Sequence, residues 1–87
     1  MDEWTVYYHR NLGKEIRRLP KKYVGRLLET IEALATNPHP AGSIKVQGHD
    51  LWRVKVGVYR IIYHIDDENQ IINTYRIGHR RNVYRNL

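Results

Sequence analysis

Hydrophobic positions fall into two periods along this chain of 87 residues. A short aromatic and β-branched run, Trp4 to Tyr8, comes first and reads as a strand with Trp4, Val6 and Tyr8 on one face. Asn11 then stands where a helix N-cap belongs, with Leu12, Ile16 and Leu19 at helical spacing behind it. Pro20 stops that helix and suits the first position of the next. Val24, Leu27, Leu28, Ile31, Leu34 and Ala35 form a continuous stripe along the second helix, which ends at Asn37-Pro38. The segment NPHPAGS, residues 37–43, is a loop by composition.

From Ile44 onward the period is two. Ile44 to Val46 predicts a short strand, Gln47 to Asp50 a turn, and Trp52 to Val56 and Tyr59 to Ile65 two strong strands. A polar group, Asp66 to Gln70, precedes a last strand over Ile71 to Ile77 and a tail over Gly78 to Leu87. The order of strand, two helices and a run of strands predicts an α+β fold. In it, an antiparallel sheet carries a helical hairpin on one face. The whole chain, 1–87, is expected to be a single domain.

Turn geometry sharpens this. Gly57-Val58 fits a two-residue type II′ turn, with glycine at the first central position. That turn pairs Val56 with Tyr59, Lys55 with Arg60, Val54 with Ile61, Arg53 with Ile62 and Trp52 with Tyr63. One face of the hairpin is then apolar, with Trp52, Val54, Val56, Tyr59, Ile61 and Tyr63. The other holds Arg53, Lys55, Arg60, Ile62 and His64. Like charges directly opposite each other destabilise a strand pair. A fold selected for stability alone would not set Lys55 against Arg60, so the pair suggests a preorganised anion site; the bland alternative is a solvated outer face that tolerates them. An odd-length turn such as Asp67-Glu68-Asn69 would carry Ile71, Asn73, Tyr75 and Ile77 to the core face. It would send Thr74 and Arg76 to the basic face, with Arg76 opposite Arg60. An even turn would bury Arg76, which is costly.

The net charge is +6 with a pI near 9.8, which favours an anionic partner. The tail carries His79, Arg80, Arg81, Tyr84 and Arg85 with no acid, and can fold back over the basic face. A tyrosine inside a basic cluster can stack on a nucleobase. Cysteine is absent, so disulfides and cysteine metal sites are excluded, and a reducing compartment is the expectation. No apolar run approaches the roughly 18 residues of a membrane span, and MDEWTVYYHR lacks the order of a secretory signal, so a cytoplasmic location away from membranes is expected. His9, His39, His49, His64 and His79 lack metal spacing, and no glycine-rich phosphate loop is present.

The segments WRVKVGVYRIIYHIDDENQII and RIGHRRNVY resemble the RelE/ParE superfamily of toxins from type II toxin–antitoxin systems, on the RelE side. The resemblance covers the whole chain and implies a RelE-like fold. It also implies a ribosome-dependent endoribonuclease (an mRNA interferase) that cuts mRNA in the ribosomal A site and so inhibits translation, with no metal or cofactor. The implied partners are mRNA on the ribosome and a cognate antitoxin that neutralises the toxin, in an oligomeric complex that binds operator DNA through the antitoxin. Carried over residue by residue, the family's two basic strand residues fall on Arg53 and Lys55. Its transition-state arginine falls on Arg60, its second arginine on Arg80 and its terminal tyrosine on Tyr84. The segment between Arg80 and Tyr84 is shorter than in the best-known members. The second arginine role is therefore open between Arg80 and Arg81, with His79 a further candidate acid. Arg76, His79 and Arg81 are expected among the substrate-binding groups.

Such cleavage uses the RNA's own 2′-hydroxyl as nucleophile. A lysine can take its proton when neighbouring cations and burial favour the neutral amine, which nominates Lys55. Arg53 and Arg60 would stabilise the phosphorane, Arg80 or Arg81 would assist the leaving oxygen, and Tyr84 would orient a base. Two other readings fit the same residues: a ParE-like toxin that inhibits DNA gyrase without cutting RNA, and a non-catalytic RNA- or ribosome-binding module.

Overall fold

A computed structural model describes residues 3–87. Seven elements follow in order: β1 (Thr5–Tyr8), α1 (Leu12–Arg17), α2 (Lys21–Ala33), β2 (Ile44–Lys45), β3 (Trp52–Val56), β4 (Tyr59–Asp66) and β5 (Ile71–His79). The strands form one sheet in the order β1-β5-β4-β3-β2. Three of its pairings are antiparallel, and β1 joins the edge of β5 in parallel, so the sheet is mixed rather than wholly antiparallel. A parallel neighbour requires a crossover, and the α1–α2 hairpin begins it.

The core lies between that hairpin and one face of the sheet. Leu12, Leu27, Ile31 and Leu34 come from the helical side and Val54, Val56, Tyr59, Ile61, Tyr63, Ile65, Ile72 and Ile77 from the strands. Full burial of one such side chain contributes about 1.5–3 kcal/mol. Trp4 and Val6 pack against this cluster, but Tyr8 is exposed and donates instead to Glu32 Oε1 on α2 at 2.5 Å.

The helix boundaries differ from the predicted ones in informative ways. Asn11 precedes α1 but has right-handed helical backbone angles and makes no side-chain cap. Its own N–H donates to His9 Nδ1. Pro20 occupies the N-cap of α2 rather than its first turn, with extended backbone angles that let the chain change direction. α2 closes at Ala33, earlier than its apolar stripe, and Leu34 is buried from the turn that follows.

The β3–β4 register is the predicted one at every position, and Gly57 takes the positive φ of 60° that a type II′ turn requires. The β4–β5 connection is not the predicted one. Asp66 pairs with Ile71, leaving an even turn over residues 67–70. The Asp66 carboxylate accepts bonds from the backbone and side chain of Asn69 and so closes this turn. The even turn puts Ile72 and Thr74 in the core, while Ile71 is only half-buried and Asn73 and Tyr75 are exposed. The register then shifts: Tyr63 pairs with Thr74, but Ile62 pairs with Arg76, so Tyr75 is an extra residue in a β-bulge. The bulge returns Arg76 to the outer face and Ile77 to the core. Arg76 lies opposite Ile62, and Gly78 rather than Arg76 lies opposite Arg60.

Candidate functional site

The outer face of the sheet, away from the helices, gathers the basic residues in two rows set by strand pairing. One runs Ile44, Arg53, Ile62, Arg76 from β2 to β5, and the next runs Lys55, Arg60, Gly78. The tail folds across them. Arg80 N–H donates to the Val58 carbonyl at 2.8 Å, which ties the start of the tail to the β3–β4 turn. Residues 80–85 then form turns, and Val83 is buried against Gly78. Ile62 is fully buried although it points away from the main core, which marks how closely the tail covers this face.

Beside that cover lies a cleft of about 400 Å³ lined by Lys45, Val46, Gln47, His49, Arg53, Tyr84 and Leu87. Arg53 and Tyr84, distant in sequence, meet here. Arg53 Nη1 is buried and, among the described residues, has no hydrogen-bond partner. A buried cationic N–H without an acceptor is costly, and an anionic oxygen in the cleft would relieve it.

The other expected residues differ in how the free protein uses them. Arg60 is half-buried, and its Nη1 donates to the carbonyls of Gly57 and Tyr59, both at 3.1 Å. Its guanidinium is thereby fixed at the hairpin turn beside the backbone of Arg80. Lys55 lies opposite it and is exposed. Arg76 spends Nη1 on tail carbonyls, at 2.9 Å to Val83 and 2.6 Å to Arg85. Arg80 and Arg81 are exposed. His79 pairs with Tyr59, a core-face residue, and its ring meets the Tyr59 ring edge-on at 6.0 Å. Its Nδ1 accepts the Arg81 N–H. The structure thus brings Arg53 to Tyr84 and Lys55 to Arg60, and sets His79 on the opposite face.

Sequence reasoning passed over the loop between β2 and β3. Its residues Gln47 and His49, with Lys45 of β2, wall the cleft, and Asp50 holds the loop to the sheet through His64 Nε2 at 3.3 Å and Lys45 Nζ at 3.9 Å. No periodic signal marks these positions; only the proximity of β2 to Arg53 reveals them. Glu15 was also missed. From α1 it accepts the Ile77 backbone N–H at 3.0 Å, satisfying a donor of β5 beyond the end of β1.

A mixed sheet, a two-helix cover and a cationic face under its own tail make a small α+β protein, and comparison with known proteins supplies its class. The family model described as the ParE toxin of the type II toxin–antitoxin system parDE matches residues 3–84. A relative designated toxin RelE1 from Methanocaldococcus jannaschii is 30% identical over 97% of this chain and 98% of its own length. Toxin RelG of Mycobacterium tuberculosis is 25% identical over 94% and 97%. The RelE–RelB complex of the archaeon Pyrococcus horikoshii matches with a TM-score of 0.77 at 26% identity, covering 93% of this chain and 99% of the matched one. The isolated E. coli RelE toxin shares the fold, with a TM-score of 0.74 at 20% identity over 87% and 83%. The chain belongs to the RelE/ParE superfamily of type II toxins.

Proposed function

We propose that this toxin is a metal-independent endoribonuclease of the RelE kind, acting on mRNA in the ribosomal A site and held in check by a cognate antitoxin. The observation that carries the reading is the outer face. Lys55 stands opposite Arg60 in the strand register, beside a cleft that pairs Arg53 with Tyr84. The arrangement sacrifices strand-pairing stability to concentrate positive charge, and the buried Arg53 Nη1 lacks an acceptor that a phosphate oxygen would supply.

In this reading Lys55 takes the proton of the 2′-hydroxyl, whose oxygen attacks the adjacent phosphorus. Arg60 and Arg53 stabilise the added negative charge of the phosphorane. The bond to the 5′-oxygen then breaks, with Arg80 or Arg81 offsetting its charge as it takes a proton from water. Arginine holds its own proton too tightly to be an efficient acid. The products are a 2′,3′-cyclic phosphate and a 5′-hydroxyl. Tyr84 gives the base beside the scissile bond a stacking surface. His79, on the far face, has no part in this scheme. Exposed Lys55 gains its desolvation only when RNA covers it. Dependence on the ribosome follows, because the ribosome supplies RNA geometry that such weak groups cannot impose.

The antitoxin reading rests on the RelE–RelB complex among the matched structures. A +6 toxin suits an acidic partner that closes the basic face, and such a complex would reach operator DNA through the antitoxin. The cytoplasm, where mRNA meets ribosomes, is the proposed site of action. No helix among the described residues is long and apolar enough to cross a membrane.

A second reading, the ParE-like toxin that inhibits DNA gyrase without cutting RNA, has its own support: the matching family model is described as a ParE toxin. Induced expression in bacteria separates the two. Lys55→Ala and Arg80→Ala should abolish growth arrest and mRNA fragmentation while the variants still bind antitoxin. If both variants arrest growth as the parent does, the catalytic assignment fails.

A further inference from the structure

Tyr84 can meet a base only if the tail that carries it stays on the sheet. Most of that tail's hydrogen bonds are local. Asn82 and Val83 N–H groups donate to the His79 carbonyl, and Arg85 N–H donates to that of Asn82. Such bonds shape a turn without attaching it to anything. Beyond the Arg80 N–H bond to Val58, which ties the start of the tail, and the buried Val83 side chain, the attachment near Tyr84 comes from Arg76. Its Nη1 donates to the carbonyls of Val83 and Arg85, the two residues that flank Tyr84. Its guanidinium also lies 5.6 Å from the Tyr75 ring centre. One further feature makes the bond possible. The bulge at Tyr75 turns Arg76 outward, where an unbroken ladder would send it into the core.

We infer that Arg76 is a positioning residue: it clamps the tail at the carbonyls of Val83 and Arg85, on either side of Tyr84, and so holds the tyrosine against the Arg53 cleft. This departs from the expectation that Arg76 binds substrate. A guanidinium already committed to two carbonyls serves the site through the tail. The effect on cleavage rests on the nuclease reading above, whereas the clamp itself does not.

Two measurements on the full chain test it. In amide hydrogen exchange, Arg76→Met should speed exchange at Val83 and Arg85 about tenfold while the β4–β5 ladder keeps its protection. Arg76→Lys, whose ammonium also offers several donors, should recover part of it. Unchanged exchange at Val83 and Arg85 in Arg76→Met overturns the clamp. The second is a double-mutant cycle on mRNA cleavage with Tyr84→Ala. Arg76→Met should lower cleavage at least tenfold in the parent and have little further effect in the Tyr84→Ala background. Equal losses in both backgrounds would mean direct action on RNA and would overturn the positioning role. A parent that cuts no mRNA sinks the nuclease reading instead, and the exchange measurement still decides the clamp.

Discussion

Lys55→Glu should make this protein more stable and less toxic. Lys55 and Arg60 are direct cross-strand partners on β3 and β4, and the two carbonyls that fix Arg60 Nη1 keep its guanidinium from swinging away. With the charges roughly 7 Å apart in a water-like dielectric, the repulsion is about 0.6 kcal/mol. This agrees with the range of about 0.2–1 kcal/mol for cross-strand pairs. Glutamate reverses the sign, so the total gain is about 1 kcal/mol once the screening of an exposed lysine is allowed for. In a domain of this size that raises Tm by about 4–8 °C. Thermal unfolding at about 0.1 M and 1 M salt checks the cause, because the screening length falls from about 10 Å to about 3 Å. The gain should shrink at high salt, and growth arrest should be lost. A variant that is less stable than the parent, or whose gain is indifferent to salt, would refute the view that this face is strained for function.

Thr74 is fully buried, and its Oγ1 finds no partner among the described residues, so Thr74→Val should be neutral or stabilising by about 1 kcal/mol in urea denaturation; a loss would mean the hydroxyl is satisfied in solution. The Tyr8 phenol, although 40% of the residue is exposed, is pushed up to about 12, first by partial burial and then by its bond and proximity to the Glu32 carboxylate. The folded state therefore keeps a proton that the unfolded chain releases near pH 10, so this contribution is present below about pH 10 and is lost as pH rises towards 12. Phenolate absorbance, read as the difference from Tyr8→Phe, should shift to lower pH in Glu32→Gln; an unmoved titration would contradict the Glu32 contribution.

The legible parts of the fold are those where one residue settles the geometry. Gly57 sets the β3–β4 turn, so the register and the Lys55–Arg60 pairing follow from the sequence. The β4–β5 turn offers no such residue. Gln70 adopts a positive φ of 53° that its side chain does not advertise, and Asp66 and Asn69 close an even turn by hydrogen bonding. The cost of burying Arg76 correctly indicates its outward face, but the chain achieves it through a bulge rather than an odd loop. That substitution moves Thr74 into the core. His79 is misleading because its place in a basic tail suggests the basic face, whereas strand alternation from Tyr59 puts it with the core. The family resemblance nominates Arg53, Lys55, Arg60, Arg80 and Tyr84 together, and the structure brings Arg53 to Tyr84 and Lys55 to Arg60; the cleft wall at Lys45, Gln47 and His49 emerges only from the packing of β2 beside β3.

The most direct test of the central claim adds purified protein to a cell-free translation reaction and, in parallel, to a gyrase supercoiling assay. Breaks within codons of the translated mRNA, bearing 2′,3′-cyclic phosphate and 5′-hydroxyl ends, with supercoiling untouched, are the predicted result. Intact mRNA together with inhibited supercoiling would contradict it.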